Sequence, residues 1–377
     1  MKKVPKKLDR KSTRFLHTQL KDILLTHLRD RTFKPGDKLP SEEQIAKTYQ
    51  INRATIRRAL RDLIVEGMIY RVPATGTFVS DPKSMDPEFV RVGKGAAQVA
   101  WLMKTEKGLV LGPFHTEMFE TANMDLRKLR YHLVFFSIDD AASSTELMKR
   151  INKKEFAGIM MVGWIDPKLI ESLVRAEIPA ILVDNYVRGL QLDSILPDNE
   201  GGAYEAVRHL LDRGHERIAC IRAPLDQAAA RERYRGYVNA LADAGIPIHE
   251  ALVVEGNFQV EGGERAMSQL LERKKNERPT AVFCLNDEMA IGAMKKIRQS
   301  GMKVPDQVSV IGFDDVDWAA HTFPPLTTVQ VPKGELAGAA IKLLLQRMKS
   351  PQAIPYKVLL PTSLIERESV GKVPPKA

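Results

Sequence analysis

Short apolar runs alternate with amphipathic stretches between residues 97 and 315, and this alternation constrains the fold more than any other feature. The runs have strand length and read QVAWLM, HLVFFSI, AGIMMVG, PAILVD, RIACIR, AVFCLN and VSVIGFD. Helical periodicity falls between them, near 115–129, 142–153, 167–176, 200–213, 226–244, 261–273 and 287–300. Because strand, helix and strand at this spacing form parallel sheets covered on both faces, the sequence predicts an α/β domain.

Polar or aromatic residues follow most of these runs, and open parallel sheets bind ligands beyond the carboxyl ends of their strands. These residues are Lys104, Asp139, Trp164, Asp184, Asn286, Asp287, Asp314 and Asp315. Any single Asp or Asn in such a place could instead cap the next helix, and Asp287 before EMAIGAMKKI is the clearest case.

Positive charge is concentrated at the start of the chain. The formal net charge is +10, and residues 1–80 hold 18 Lys and Arg against 8 Asp and Glu, whereas the other 297 residues hold 39 of each kind. This asymmetry favours a DNA-binding module attached to a neutral domain, because neutralised phosphates supply much of DNA affinity. A membrane surface is disfavoured as the partner, since MKKVPKKLDRKSTR contains only Val4 and Leu8 as apolar residues.

Two helices are predicted within the basic segment. In LPSEEQIAKTYQ, Ser41 and Gln44 have the spacing of a capping box, so a short helix is expected to begin at Glu42. A second helix is predicted over 53–66, with Asn52 as its N-cap and Gly67 just past its end.

The second helix has an apolar stripe and a basic stripe. Helical spacing places Ile56, Ala59, Leu60 and Leu63 on one side and Ala54, Arg57, Arg58 and Arg61 on the other. A solvated polar face on an ordinary core helix is one interpretation. The preceding helix, and a hairpin predicted from 69–72 and 77–79 across the loop 73–76, favour a winged helix-turn-helix instead.

The segment PGDKLPSEEQIAKTYQINRATIRRALRDLIVEGMIYRVPATGTFV resembles the winged helix-turn-helix of GntR-type bacterial transcription regulators. The resemblance implies contacts with double-stranded DNA from the start of the second helix and the tip of the wing. The predicted DNA-binding residues are Ser41, Asn52, Arg53, Thr55, Arg57, Arg58, Thr75 and Gly76. One position departs from the family pattern, because Glu43 stands where an arginine usually contacts DNA.

Four segments are expected along the chain. Residues 1–80 form the winged domain, the Pro- and Gly-containing stretch 81–96 is a linker, 97–367 form the α/β domain, and 368–377 form a tail. The predicted fold class is a small α/β winged helix-turn-helix domain followed by a two-lobed α/β domain, in which each lobe is a mostly parallel sheet covered by helices on both faces.

The motifs HLLDRGHERIACI, RERYRGYVNALADAGI, PTAVFCLNDEMAIGAMKKIRQSGMKVPDQVSVIGFDD and PPLTTVQVP resemble the effector domain of LacI/GalR regulators, which is related to periplasmic sugar-binding proteins. Joined to a GntR-type module, this is an arabinose-repressor-like architecture. The resemblance implies two lobes joined by three crossings, near 196–198, 326–330 and 350–355, with the ligand between the lobes. The resemblance implies the ligand-binding residues Asp184, Arg233, Phe258, Asn286 and Asp314. We add Phe114, His115 and Trp164 from the first lobe.

The residue types suit a carbohydrate. A sugar presents hydroxyls that donate and accept hydrogen bonds together with an apolar C–H face, so its site needs polar forks and a flat ring. Arg233, Asn286 and Asp314 supply the forks and Phe258 supplies the ring. The lone aromatics Phe114 and Trp164 could equally be core residues, and a purine or nucleoside stays open as the ligand.

An enzyme and a transport protein are the alternatives to a ligand-controlled regulator. An enzyme with the winged module ahead of a pyridoxal-phosphate domain would need more than the remaining 297 residues and a Schiff-base lysine, which we do not find. Nucleophile-elbow, zinc-protease and phosphate-loop motifs are also missing, so no enzyme, cofactor or metal site is expected. A transport protein is disfavoured because no signal-peptide apolar segment is present.

The remaining expectations concern assembly and environment. A homodimer on a palindromic operator is expected, because one short winged helix contacts too few base pairs. A cytoplasmic location is expected, because the sequence has neither a signal-peptide segment nor an apolar run of transmembrane length. Cys220 and Cys284 lie in apolar runs and are expected to be buried free thiols.

Overall fold

The computed structural model describes residues 16–29, 32–33, 37–65, 69–72, 76–79, 97–105, 111–138, 141–153 and 155–373. Contacts within the chain divide it into two units, 1–96 and 97–377. The predicted linker 81–96 and the positions Gly67, Thr75 and Asp139 lie outside the described residues. No helix in the described ranges is long and apolar enough to span a membrane.

The amino-terminal unit is a three-helix module with a β-hairpin. Its elements are α1 Leu16–Arg29, α2 Glu42–Tyr49, α3 Arg53–Val65, β1 Ile69–Val72 and β2 Gly76–Val79. The strands pair antiparallel with Ile69 opposite Val79, and backbone bonds from Leu39 and Val79 add residues 37–39 to the hairpin. The winged helix-turn-helix is therefore confirmed, with α1 as a helix that the sequence analysis did not predict.

The first lobe of the second unit is a six-stranded parallel sheet. Its strands are β3 Ala97–Met103, β4 Tyr131–Ser137, β5 Phe156–Val162, β6 Ala180–Val183, β7 Asp193–Pro197 and β13 Lys357–Leu360, in the order β13-β7-β6-β5-β3-β4. Its helices are α4 Pro113–Lys128, α5 Ala141–Asn152, α6 Pro167–Arg175 and α11 Lys333–Lys349. Alternate residues of the buried strands point to opposite faces, so α4 and α11 cover one face and α5 and α6 the other.

The second lobe is built on a four-stranded parallel sheet. Its strands β8 Ile218–Arg222, β9 Val253–Glu255, β10 Ala281–Cys284 and β11 Ser309–Ile311 have the order β11-β10-β8-β9. Its helices are α7 Asn199–Leu211, α8 Ala228–Asp243, α9 Val260–Leu271 and α10 Asp287–Gln299, and an antiparallel ribbon joins β12 Thr328–Gln330 to β14 Ser363–Ile365. The predicted two-lobed α/β fold class is confirmed.

The chain crosses between the lobes three times. It crosses after β7 near 198, between β12 and α11 near 331–332, and between β13 and β14 near 361–362. The crossing predicted at 350–355 is wrong, because β13 rejoins the first-lobe sheet beside β7 before the chain returns. The strand escaped prediction because this edge strand is only half buried, which weakens its apolar pattern.

The predicted tail at 368–377 needs correction over 368–373. Ser369 is fully buried, donates to the carbonyl of Val310 at 2.6 Å and accepts from the amide of Thr327 at 2.7 Å. The amide of Val373 donates to the carbonyl of Arg213 at 3.0 Å. The second lobe therefore includes these residues. Cys220 and Cys284 are buried free thiols, as predicted, and burial raises the pKa of both.

Candidate DNA-binding surface and ligand cleft

Side-chain caps fix the two helices of the helix-turn-helix. The Ser41 hydroxyl accepts from the amide of Gln44 at 3.2 Å, and the Gln44 side chain accepts from the amide of Ser41 at 2.8 Å, which completes the predicted capping box. Asn52 Oδ1 accepts from the amide of Thr55 at 2.8 Å and so caps α3. Gln50, at the end of α2, adopts a left-handed backbone with φ 53° that turns the chain towards α3.

The two stripes of α3 are separated as predicted where the side chains are described. Ile56, Ala59, Leu60 and Leu63 are buried against α1 and the hairpin. Arg57 and Arg58 are exposed. Replacing an apolar residue such as Leu63 with alanine would cost about 2–5 kcal/mol, so the apolar stripe fixes the orientation of the basic one.

Arg57 has a protein partner that the sequence did not predict. Its Nε lies 2.9 Å from Glu42 Oε2 on α2, and 61% of the Arg57 side chain stays exposed. The pair therefore links the Arg57 guanidinium to the start of α2 without removing it from solvent. Glu43, at the position where the family usually has an arginine, is also exposed.

The other predicted DNA-binding positions are only partly described. Arg53 begins α3, and Gly76 begins β2 opposite Val72. Thr55 is half-buried, and Ser41 and Asn52 are exposed. Ser41 and Asn52 also cap helices, so their positions have a structural reason independent of DNA.

A cleft of about 380 Å³ lies between the lobes of the second unit. All eight predicted ligand-binding residues line it. The first lobe contributes Phe114, His115, Trp164 and Asp184, and the second lobe contributes Arg233, Phe258, Asn286 and Asp314. The volume falls in the range of ordinary small-molecule sites.

A buried arginine organises the second-lobe wall. Arg233 on α8 is 3% exposed, and its guanidinium lies 3.8 Å from the centre of the Phe313 ring. Its Nε donates to Asn199 Oδ1 at 2.8 Å, and its Nη1 donates to the carbonyl of Leu285 at 2.7 Å. Nη1 is also 2.9 Å from Asp314 Oδ1, as an ion pair without hydrogen-bond geometry.

Asn286 connects the end of β10 to the aromatic side of the wall. Its Oδ1 accepts from the amide of Met289 at 3.0 Å and caps α10, while its Nδ2 donates to the carbonyl of Phe258 at 2.9 Å. Each group can form one further hydrogen bond, because an amide has two donor hydrogens and two acceptor lone pairs.

Two carboxyl groups in the cleft, one from each lobe, can accept further hydrogen bonds. Among the described residues, the buried Oδ1 of Asp184 has no hydrogen-bond partner, and the buried Oδ1 of Asp314 has only its ion pair with Arg233. Burial raises the pKa of Asp184 to about 7, and the nearby charge of Arg233 opposes that rise. Burial also raises the pKa of Asp314, against the positive charges of Arg233 and Lys333. A ligand that donates hydrogen bonds would satisfy both oxygens.

The first-lobe wall is aromatic and less charged. Phe114 and His115 open α4, and their rings meet edge to face at 5.0 Å. Burial lowers the pKa of His115 to about 4, so the imidazole is neutral at physiological pH. Lys104 Nζ lies 4.4 Å from the centre of the Trp164 ring.

Three of the eight residues have unusual backbone conformations. Asp184, Phe258 and Asp314 have φ values of 54°, 65° and 111°, in a region that non-glycine residues seldom occupy. Such strain persists only where surrounding contacts enforce it, and it is common at binding sites.

Further polar residues of the cleft were missed. Asn185, Gln227, Asn257, Gln259 and Glu288 also line it. Asn185 and Glu288 lie one and two positions beyond predicted site residues, so extending each strand end by two residues would have found both. Asp287, the suspected helix cap, has another role: its carboxylate accepts from the amide of Val316 and the hydroxyl of Thr328, and Asn286 is the cap.

Comparison with known protein families supports both units. The family described as bacterial regulatory proteins, gntR family, matches residues 16–79, and the family described as periplasmic binding protein-like domain matches residues 207–370.

Individual relatives are repressors. The HTH-type transcriptional repressor PurR of Vibrio atlanticus (strain LGP32) is 37% identical over 227 residues, which are 60% of this chain and 67% of the relative. The ribose operon repressor of Haemophilus influenzae (strain ATCC 51907 / DSM 11121 / KW20 / Rd) is 32% identical over 259 residues, 68% of this chain and 77% of the relative. A solved complex of the transcriptional regulator CelR with cellobiose is 28% identical with a TM-score of 0.68, covering 88% of this chain and 100% of that one.

The fold and the cleft define a small-molecule-binding regulator with periplasmic-binding-protein-like lobes. The chain belongs to the family of PurR- and LacI-type repressors, with a GntR-type helix-turn-helix as its DNA-binding domain. It is a ligand-controlled DNA-binding repressor, and this relationship points to a regulator rather than an enzyme.

Proposed function

We propose that this repressor binds a palindromic operator as a homodimer and that a sugar in the cleft changes its affinity for DNA. The observation that carries the proposal is the set of hydrogen-bonding groups around Arg233, Asn286 and Asp314 beside the ring of Phe258. A pyranose or furanose can satisfy such groups with its hydroxyls and place its C–H face on the ring.

The carboxyl groups of Asp184 and Asp314 also support a sugar. They face the cleft from opposite lobes, and sugar hydroxyls can donate to a carboxylate or accept from a protonated carboxyl. One relative is named a ribose operon repressor, and another structure contains cellobiose. These relatives support a carbohydrate, and we propose no catalytic step or cofactor.

A purine or nucleoside is the second candidate. Its support is the relative named PurR, together with the aromatic rings of Phe114, Trp164 and Phe258, on which a planar base could stack. Under this alternative the ligand would act as a corepressor.

A dimer is supported by large apolar side chains exposed on both lobes. The first lobe exposes Met124, Leu129 and Phe135, and the second lobe exposes Trp318 and Phe323, the latter by 87%. A two-fold interface that covered such side chains would remove apolar surface from water. It would also give two helix-turn-helix modules for two half-sites.

Thermodynamic linkage between ligand binding and DNA binding explains how the ligand can control the repressor. If the ligand binds one arrangement of the lobes more tightly and that arrangement also changes the separation of the DNA-binding modules, ligand and DNA must alter each other's affinity by the same factor. We propose that a sugar weakens DNA binding. The exposed side chains Asn52, Arg57 and Arg58 are the proposed contacts with DNA, and the cytoplasm is the proposed compartment.

A thermal-shift screen of the full chain tests the proposal. The panel contains pentoses, hexoses, sugar acids, disaccharides, purines and nucleosides, because a ligand that binds only the folded state raises the melting temperature. A sugar hit that also weakens operator binding is expected. A purine as the sole hit establishes the second candidate, and a panel without any hit contradicts both.

A further inference from the structure

Lys333 is a buried cation at the second crossing between the lobes. It is the first residue of α11 and is 5% exposed. Its Nζ donates to the carbonyl of Asp314 at 3.0 Å and to the carbonyl of Asp315 at 2.9 Å. Its charge is paired with Glu117 on α4, where Nζ and Oε2 are 3.3 Å apart. Burying a lysine is costly, and these three contacts offset that cost.

The two carbonyls belong to a turn that other contacts also restrain. Asp314 and Asp315 have φ values of 111° and 51°, and Arg367 Nη2 lies 2.7 Å from Asp315 Oδ1. The Asp314 side chain lines the cleft on the far side of the same turn. Lys333 therefore binds the backbone carbonyls of the turn on the side away from the cleft, while the carboxylate of Asp314 faces the cleft.

Glu117 brings the first lobe into this arrangement. It lies one turn after Phe114 on α4, and it is 52% exposed. The chain of contacts runs from the Asp314 turn through Lys333 and Glu117 to the helix that opens with Phe114 and His115. The Lys333 ammonium group thus connects the Asp314 turn of the second lobe with helix α4 of the first lobe.

We propose that Lys333 is a positioning residue of the ligand site, which holds the Asp314 turn in place and ties it through Glu117 to the helix that carries the first-lobe wall. The inference rests on the proposed function, because it takes the cleft as the ligand site. It names a residue that touches no ligand but sets the position and charge of one that does.

The electrostatic surroundings of Asp314 favour this role. Burial raises its pKa, and the positive charges of Arg233 and Lys333 oppose the rise. The other charged groups around this cluster are the acidic Glu117, Asp184, Asp287, Glu288 and Asp315 and the basic Arg367, which is paired with Asp315. Without Lys333, the balance shifts towards a protonated Asp314, which accepts hydrogen bonds less well.

The deciding experiment measures the pKa of Asp314 in the full chain without ligand. Carboxyl carbon NMR of protein labelled at aspartate gives the titration, and Asp314→Asn assigns the signal. In Lys333→Met the pKa should rise by about one unit. Lys342→Met, an exposed lysine on the same helix, is the matched control and should leave it unchanged.

Two further variants keep the test decisive. Lys333→Gln removes the charge but keeps a donor for the carbonyls, so it reports on Asp314 even if Lys333→Met does not fold. Lys333→Arg keeps the charge and should restore a titration close to that of the unsubstituted chain. An Asp314 pKa that stays unchanged in a folded Lys333→Met or Lys333→Gln overturns the proposal.

Glu117→Gln tests the connection to the first lobe. Amide hydrogen exchange should become faster both at 114–117 and at 314–316, by roughly twofold to fivefold because the pair is half exposed. Glu120→Gln, on the same helix and also exposed, should change neither segment. Faster exchange at 114–117 alone would show that the connection does not reach the turn. Because neither readout uses a ligand, a negative sugar screen and a negative result here are distinguishable.

Discussion

Arg57 on α3 and Arg233 in the cleft are the arginines proposed for DNA binding and ligand binding, and their surroundings are opposite. The Arg57 side chain is 61% exposed and has one described partner, Glu42. Arg233 is 3% exposed and contacts Asn199, the carbonyl of Leu285, Asp314 and the ring of Phe313. The first arginine can exchange its partner for a phosphate or a base at little cost, whereas the second is fixed before any ligand arrives.

This difference has an energetic meaning. An exposed ion pair contributes about 0–1 kcal/mol, so DNA can displace Glu42 from Arg57 without a large penalty. A buried pair that loses one partner leaves an uncompensated charge and costs about 3–5 kcal/mol. Stability and ligand recognition are therefore coupled in the cleft, whereas stability and DNA recognition are separable on α3. Four variants test this difference.

Arg233→Met should have the largest effect. It leaves Asp314 as a buried carboxylate without its main counter-charge, and we expect a loss of about 3–5 kcal/mol in the free energy of unfolding, measured by urea denaturation. The double variant Arg233→Met with Asp314→Asn should recover part of this loss, because it leaves no uncompensated buried charge and asparagine tolerates the positive φ of position 314. A single-variant loss below about 1 kcal/mol would contradict the comparison.

Asp314→Ala should abolish the ligand response while leaving DNA binding intact. The cleft loses a hydrogen-bond acceptor for the ligand, so affinity for a hit from the screen should fall by about 2 kcal/mol or more in calorimetric titration. Operator binding without ligand serves as the control. Unchanged ligand affinity would remove Asp314 from the site.

Arg57→Ala should weaken operator binding without affecting the effector unit. With an operator selected from a random duplex library, fluorescence anisotropy should show a loss of about 1–3 kcal/mol if the guanidinium contacts a base. The free energy of unfolding should change by less than about 0.5 kcal/mol, because the Glu42 pair is exposed. Lys128→Ala, which breaks an exposed pair on α4, is the control. Equal losses in both variants would mean that α3 has no special role.

Asp184→Asn should change stability in a pH-dependent way. The pKa of Asp184 is raised from 3.8 to about 7, so between about pH 4 and pH 7 the folded protein keeps a proton that the unfolded chain has released. Stability attributable to this group therefore falls as the pH rises through that window. Asparagine cannot ionise, and the variant should melt about 2–4 °C higher at pH 8 and equally at pH 4, by scanning calorimetry. The same gain at both pH values would argue against an ionising Asp184.

Sequence patterns were informative where local physics decides the structure. The capping box at Ser41, the N-cap at Asn52 and the stripes of α3 depend on residues within a few positions of each other, and all were predicted. Seven strands were predicted from their continuous apolar runs, but β7 was missed although it is fully buried, because its run begins with the polar residues Asp193 and Ser194. The edge strand β13 was missed because its residues are alternately exposed.

Parts of the site could not be predicted because they depend on contacts between distant segments. Lys333 reaches carbonyls 18 and 19 positions away across a crossing, and Glu117 is farther still along the chain. The Glu42 partner of Arg57 lies 15 positions earlier, on another helix. Nothing in the local pattern of these residues distinguishes them from other surface charges.

The strained backbone of the cleft also limits how the protein could acquire a new ligand. Asp184, Phe258 and Asp314 occupy φ values that β-branched residues adopt only at a high cost. Gln227 has φ −83° and lines the same cleft, so any side chain can replace it without backbone strain. In evolution or in a designed library, changes in effector specificity should therefore accumulate at positions such as Gln227, while the three strained residues are retained across variants that recognise different effectors.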